Sequence, residues 1–75
     1  MLNKFIEHFA EQFDETNINE FQATTKFKDL SEWSSLTALN IIAMVDEEYN
    51  VTLKGADIEN AVTIEDLFNI VQSKK

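Results

Sequence analysis

Ser34 and Ser35 stand at the head of the most apolar stretch of this chain, which opens with Trp33-Ser34-Ser35-Leu36 and closes with Asp46-Glu47-Glu48-Tyr49. A hydroxyl at the entrance of an amphipathic helix, with carboxylates at its far end, suits attaching a group to a helix better than it suits turnover. The remaining inventory points the same way. His8 is the only histidine, and between Phe5 and Phe9 it reads as a surface side chain rather than a ligand. Metal sites need several His, Cys or carboxylate donors converging. Adjacent acids such as Glu47 and Glu48 splay around a helix and make no ready acid/base dyad. No pattern sets a histidine base beside a serine, and there is no glycine-rich phosphate loop. The absence of cysteine removes disulfides and thiolate metal sites. The expectation is a protein that is not an enzyme and holds no metal.

The elements that must position these two serines are helical. The chain has no proline and one glycine, Gly55, in 75 residues, too few turn formers for a β-rich domain of this size. Leu2, Phe5, Ile6, Phe9 and Phe13 recur at helical spacing and predict a first helix over residues 2–14. From Glu15 to Trp33 the period breaks. Asn17, Asn19, Thr24, Thr25 and Ser31 compete for backbone hydrogen bonds, and isolated Ile18, Phe21, Phe27, Leu30 and Trp33 suggest a long loop pinned to the core at intervals. A loop of that length in so small a domain hints at function.

Ser34 is a natural N-cap for a second helix over residues 35–49. On its wheel Ala38, Leu39, Ile41, Ile42, Val45 and Tyr49 fill one arc, and Thr37, Asn40, Met44, Glu47 and Glu48 the opposite one. Met44 on that polar arc suits a contact surface. Asp46-Glu47-Glu48 lie at the negative end of the helix dipole, where each acid is unfavourable by roughly 0.3–1 kcal/mol, which suggests that the charge serves partners. Val51-Thr52-Leu53 reads as a short extended link. A brief third helix follows over residues 55–59, and a last helix is capped by Thr63 with Asp66 at its third position. The expected core is Phe5, Phe9, Phe13, Leu39, Ile42, Val45, Leu67, Phe68 and Val71.

The formal net charge is −8, and from Asp29 to Asp66 nine acids face one base, Lys54. That charge repels nucleic acid and anionic membranes, and basic protein surfaces are the expected partners. No window is long and apolar enough to span a bilayer, and the first residues lack a signal-peptide layout. The expectation is a soluble, cytoplasmic, monomeric protein of one domain over residues 1–75.

At Trp33-Ser34-Ser35-Leu36, followed by Asn40-Ile41-Ile42 and Asp46-Glu47-Glu48-Tyr49, the chain resembles the acyl carrier protein family, over nearly its full length. Phe27-Lys28-Asp29-Leu30 looks like the segment ahead of the family's modification site, Val51-Thr52-Leu53 like its link after the second helix, and Thr63-Ile64-Glu65-Asp66-Leu67 like the start of its last helix. The resemblance implies an all-α, four-helix bundle with a long loop between the first two helices. It implies 4′-phosphopantetheine bound covalently to Ser35, carrying acyl groups as thioesters. A tryptophan two residues before the serine is typical of a subset of stand-alone carriers. The implied partners are a phosphopantetheinyl transferase, then acyl-loading, condensing or acyltransferase enzymes with basic docking surfaces. They would meet Leu36, Thr37, Asn40, Met44, Glu47 and Glu48. The family's aspartate before the serine is replaced by Ser34, and the acids it often has at the positions of Thr37 and Asn40 are absent. An aminoacyl or peptidyl carrier is the same device with another cargo. An unmodified acidic helical adaptor is the reading from a different class.

Overall fold

The apolar period of the first residues forms α1, Leu2–Ala10, in the computed structural model, which describes residues 1–75. Two 3₁₀ turns follow, Ile18–Glu20 and Phe27–Asp29, then α2, Ser35–Tyr49, α3, Gly55–Asn60, and α4, Ile64–Ser73. The fold is all-α, with four helices and no strand. α1 packs on α2 and α4, and α3 on α4. No helix is long and apolar enough to cross a membrane.

α1 ends four residues earlier than the period predicts. Beyond Ala10 the amides of Gln12 and Phe13 donate to the carbonyls of Phe9 and Ala10, at 3.1 and 3.0 Å, a tighter turn than an α-helix. The amides of Asp14 and Glu15 then turn away to the Glu32 carboxylate, at 3.0–3.1 Å. Phe13 nevertheless stays in the core, its ring centroid 4.9 Å from that of Phe21. Phe9 is fully buried, and its ring meets Phe27 at 5.4 Å.

The long loop is ordered by anchors at both levels. Phe21 and Phe27 are buried, and Leu30 and Trp33 pack against the core. Ile18 does not serve as a pin and is exposed. The Asn17 side chain accepts from the Asn19 amide at 2.8 Å and starts the first 3₁₀ turn. The carbonyls of Ala23 and Thr25 take the amides of Glu65 and Ile64, at 3.0 and 3.2 Å, which satisfies donors that the start of α4 would otherwise leave free.

α2 has the predicted bounds and presents a different face. Thr37, Ile41, Met44 and Val45 are buried, with Ile41 and Val45 at 0% exposure and Met44 at 5%. Leu39, expected in the core, is 61% exposed. Ile42 and Phe68 are half-buried, packed against the core rather than within it. The helix is turned by roughly a quarter of its circumference from the face the apolar residues suggest. The cause is visible in its composition: α2 is apolar on nearly every side, with Leu36, Leu39 and Ala43 facing outward. Hydrophobicity alone leaves two faces open. Thr37 decides between them, because its hydroxyl donates to the Glu32 carbonyl at 2.9 Å and holds that side inward.

Asn50 closes α2 in the left-handed region, φ 58° and ψ 37°, with its amide bonded to the Asp46 carbonyl at 3.1 Å. Asparagine is among the few residues that adopt this conformation readily. Val51 and Leu53 are buried and Thr52 is exposed, as an extended link requires. α3 starts with the Lys54 amide donating to Asp57 at 2.9 Å, and Lys74 of the C-terminus lies 3.3 Å from the same carboxylate. At α4 the Asp66 amide donates to Thr63 Oγ1 at 3.1 Å, and the Asp66 carboxylate accepts from the Thr63 amide at 3.0 Å. This is a complete capping box.

Candidate attachment and docking site

Ser34 caps α2 with extended backbone, φ −158° and ψ 175°, and its Oγ accepts from the Thr37 amide at 3.3 Å. The two hydroxyls lie 3.2 Å apart, and Thr37 passes the chain on to the Glu32 carbonyl. Glu32 in turn is held by the amides of Asp14 and Glu15 and by the Thr16 hydroxyl. The Thr16 bond leads in holding the Glu32 carboxyl below the usual carboxylate range; desolvation opposes it, and the backbone amides add to the lowering. The head of α2 is thus tied to the end of α1 through one residue, Glu32, by its carbonyl on one side and its carboxylate on the other. Ser35, the first residue of the helix, is exposed beside this network.

Ser35 opens onto a cleft of about 320 Å³ between α2, α3 and the loop before α2. Trp33, Ala38, Leu39, Ile42 and Ile58 supply its apolar wall, and Lys28 and Glu59 its charges. Lys28 Nζ donates to the carbonyls of Ile58 and Glu59, at 3.3 and 3.0 Å, and so fastens the loop to the end of α3. A second cavity of similar size, lined by Glu15, Thr16, Glu20 and Glu32, lies on the loop and away from the cleft.

His8 is at the other end of α2. Its Nδ1 is 3.8 Å from Glu11 and its Nε2 is 3.9 Å from Glu48, while its ring meets Tyr49 edge-on at 5.9 Å. Fourteen helical steps separate Tyr49 from Ser35, about 20 Å at 1.5 Å per residue, so His8 is no base for that serine. The Tyr49 hydroxyl is buried without a partner, and burial, with Glu48 adding to it, pushes its ionisation upward.

The docking residues expected from the sequence do not share one surface. Leu36, Asn40 and Glu47 are exposed and fall on one outward stripe of α2. Leu36 is 68% exposed, with Leu39 beside it. Thr37 is buried at 9% and Met44 at 5%, so neither side chain is offered to a partner. Both lie on the inward face for the reason given above. Glu48 leans towards His8 and α1, so the Asp46-Glu47-Glu48 run splits between two directions. Sequence reasoning missed Glu32 and the latch formed by Lys28. Their partners are backbone groups some 17 and 30 residues away, and no local pattern signals such bonds.

The residues present suit a covalently tethered arm: an exposed primary hydroxyl at the first position of a long helix, where phosphate is favoured, beside an open cleft with an apolar wall. The chain matches the family described as "Phosphopantetheine attachment site" over residues 3–71. No curated protein and no solved structure matches it.

Proposed function

We propose that this chain, which belongs to the phosphopantetheine attachment site family, is an acyl carrier protein that holds its 4′-phosphopantetheine on Ser35. Residues 1–75 serve as one carrier domain in this reading. The observation that carries it is the exposure of Ser35 at the first position of α2, beside the cleft, while Ser34 is spent as the cap. When bound, the arm supplies the thiol on which acyl groups ride as thioesters, which is how a cysteine-free chain takes part in acyl transfer.

The chain's own residues position and present. Ser34, Thr37 and Glu32 fix the head of α2 and with it the direction in which the Ser35 hydroxyl points. Trp33, Ala38, Leu39 and Ile42 give an apolar wall beside the attachment point. Leu36, Asn40 and Glu47 form the outward stripe that partners would meet. The partners are a phosphopantetheinyl transferase and then acyl-loading, condensing or acyltransferase enzymes, with an apolar patch for the head of α2 and basic residues for its far end.

Coenzyme A and a phosphopantetheinyl transferase test the assignment. Intact mass should show one phosphopantetheine added to the wild type and none to Ser35→Ala. Addition that persists in Ser35→Ala, or maps to Ser34, overturns it. The mass of the native loaded form then identifies the cargo, fatty acyl or aminoacyl.

A further inference from the structure

We propose that Lys28 binds the phosphate of the arm and ties it to the C-terminal end of α3. The proposal rests on the assignment of Ser35 as attachment point. Three observations lead to it. Lys28 is the one cation lining the cleft that Ser35 also lines, and Glu59 is its one carboxylate. Lys28 Nζ is already ordered there by two carbonyls, those of Ile58 and Glu59. An ammonium has three N–H donors, so one remains for a further acceptor. The helix itself brings no competing acid, since no residue from Ser34 to Val45 carries charge.

A phosphodiester on Ser35 introduces a single anion into this setting. A hydrogen bond from an ammonium to an anionic phosphate is roughly twice as strong as one between neutral groups. The entropy of fixing the lysine side chain is largely met beforehand by its two carbonyl partners. The consequence is structural as well as electrostatic. Phosphate, Lys28 and the last carbonyls of α3 become one unit, so adding the arm tightens the wall of the cleft formed by α3. Lys28 is a positioning residue in this account. The bland alternative is a latch for α3 that takes no part in holding the arm.

The latch alone lowers the stability of apo and holo protein equally when Lys28 is replaced, so the difference between the two forms isolates the phosphate contact. Apo and holo forms of wild type, Lys28→Met and Lys28→Arg are compared at low salt, with loading verified by mass and Ser35→Ala as the unmodified control. The gain in melting temperature on loading should be larger in wild type and Lys28→Arg than in Lys28→Met by about 2–4 °C. The excess should disappear near 1 M salt, where exposed charges are screened within about 3 Å. The ³¹P resonance of the phosphodiester should move in Lys28→Met and return towards its wild-type position in Lys28→Arg. Equal gains and one common resonance in all three chains overturn the role of Lys28 while leaving Ser35 standing. Loading that persists in Ser35→Ala overturns the attachment point, and this proposal with it.

Discussion

Two neighbouring serines are divided by conformation rather than by chemistry. Ser34 has extended backbone and turns its hydroxyl onto the Thr37 amide, whereas Ser35 has entered the helix and points to solvent. Ser34→Ala should destabilise by about 0.5–2 kcal/mol, nearer the lower limit because the cap bond is long at 3.3 Å. Ser34→Asp keeps the cap and should melt with the wild type while speeding transfer of the arm, because it restores the carboxylate that the family carries there. Unchanged melting of the alanine variant argues against the cap, and an unchanged transfer rate with aspartate means that the carboxylate is not limiting. Thr37→Val removes the donor to the Glu32 carbonyl and should destabilise by about 1 kcal/mol. The buried side chain offers partners no contact, so any change in transfer should accompany the loss of stability through the loosened head of α2. A selective loss of transfer without loss of stability would place Thr37 at the docking surface after all.

The bounds of the helices were legible wherever a local signal existed, and their faces were not always so. α2 and α4 begin at hydroxyl caps that can be read from the sequence, and α1 and α4 carry one apolar stripe each. α2 carries apolar residues almost all round, so its inward face depends on a hydroxyl bonded to a carbonyl five residues back. That is why Leu39 and Met44 exchanged places with respect to expectation. The early end of α1 depends on Glu32, 17 residues beyond Glu15, and is not legible at all. That Ser35 opens α2 was legible from the Ser34 cap, while its proposed role comes from the family resemblance; the cleft beside it is made by α3 and a lysine latch that only the tertiary structure brings near. Two variants test the element scale. Phe9→Ala empties a site at 0% exposure between α1 and the loop and should destabilise by roughly 3–5 kcal/mol, a large part of what a small domain has. A barely shifted cooperative melt would show that α1 does not pack as described. Asn50→Gly should be tolerated at the left-handed end of α2, whereas Asn50→Val should destabilise by about 1–2 kcal/mol. Equal melting of the two would mean that the helix ends otherwise.

Over the whole molecule, acidity is arranged in two ways that respond differently to conditions. Asp57 and Asp66, like Glu32, are engaged in bonds within the chain. The Lys54 amide, helped by Lys74, holds the Asp57 carboxyl low, and the Thr63 and Val62 amides do the same for Asp66. Groups depressed in the folded state bind fewer protons there than in the unfolded chain, so their stabilisation is present above the unfolded carboxylate range and is lost as pH falls through the folded values, below about pH 4. Melting temperature measured from pH 7 to pH 3 should fall steeply only at the acid end, and Asp66→Asn should flatten that fall. Glu47, by contrast, has no partner within the protein and lies on the same stripe as Leu36 and Asn40, while Glu48 leans on His8. Docking led by charge should therefore depend on Glu47 more than on Glu48, with the exposed Leu36 supplying the apolar part near Ser35. Glu47→Lys should slow transfer to a partner enzyme mainly through the association rate, Glu48→Lys should do so less, and the difference should shrink as salt screens exposed pairs beyond about 8–10 Å. Asn40→Ala, a neutral change on the same stripe, should show no salt dependence beyond that of the wild type. Transfer rates of these variants at two salt concentrations decide between docking and mere solubility: if Glu47→Lys matches the wild type at low salt, the acidic end of α2 only keeps the chain in solution.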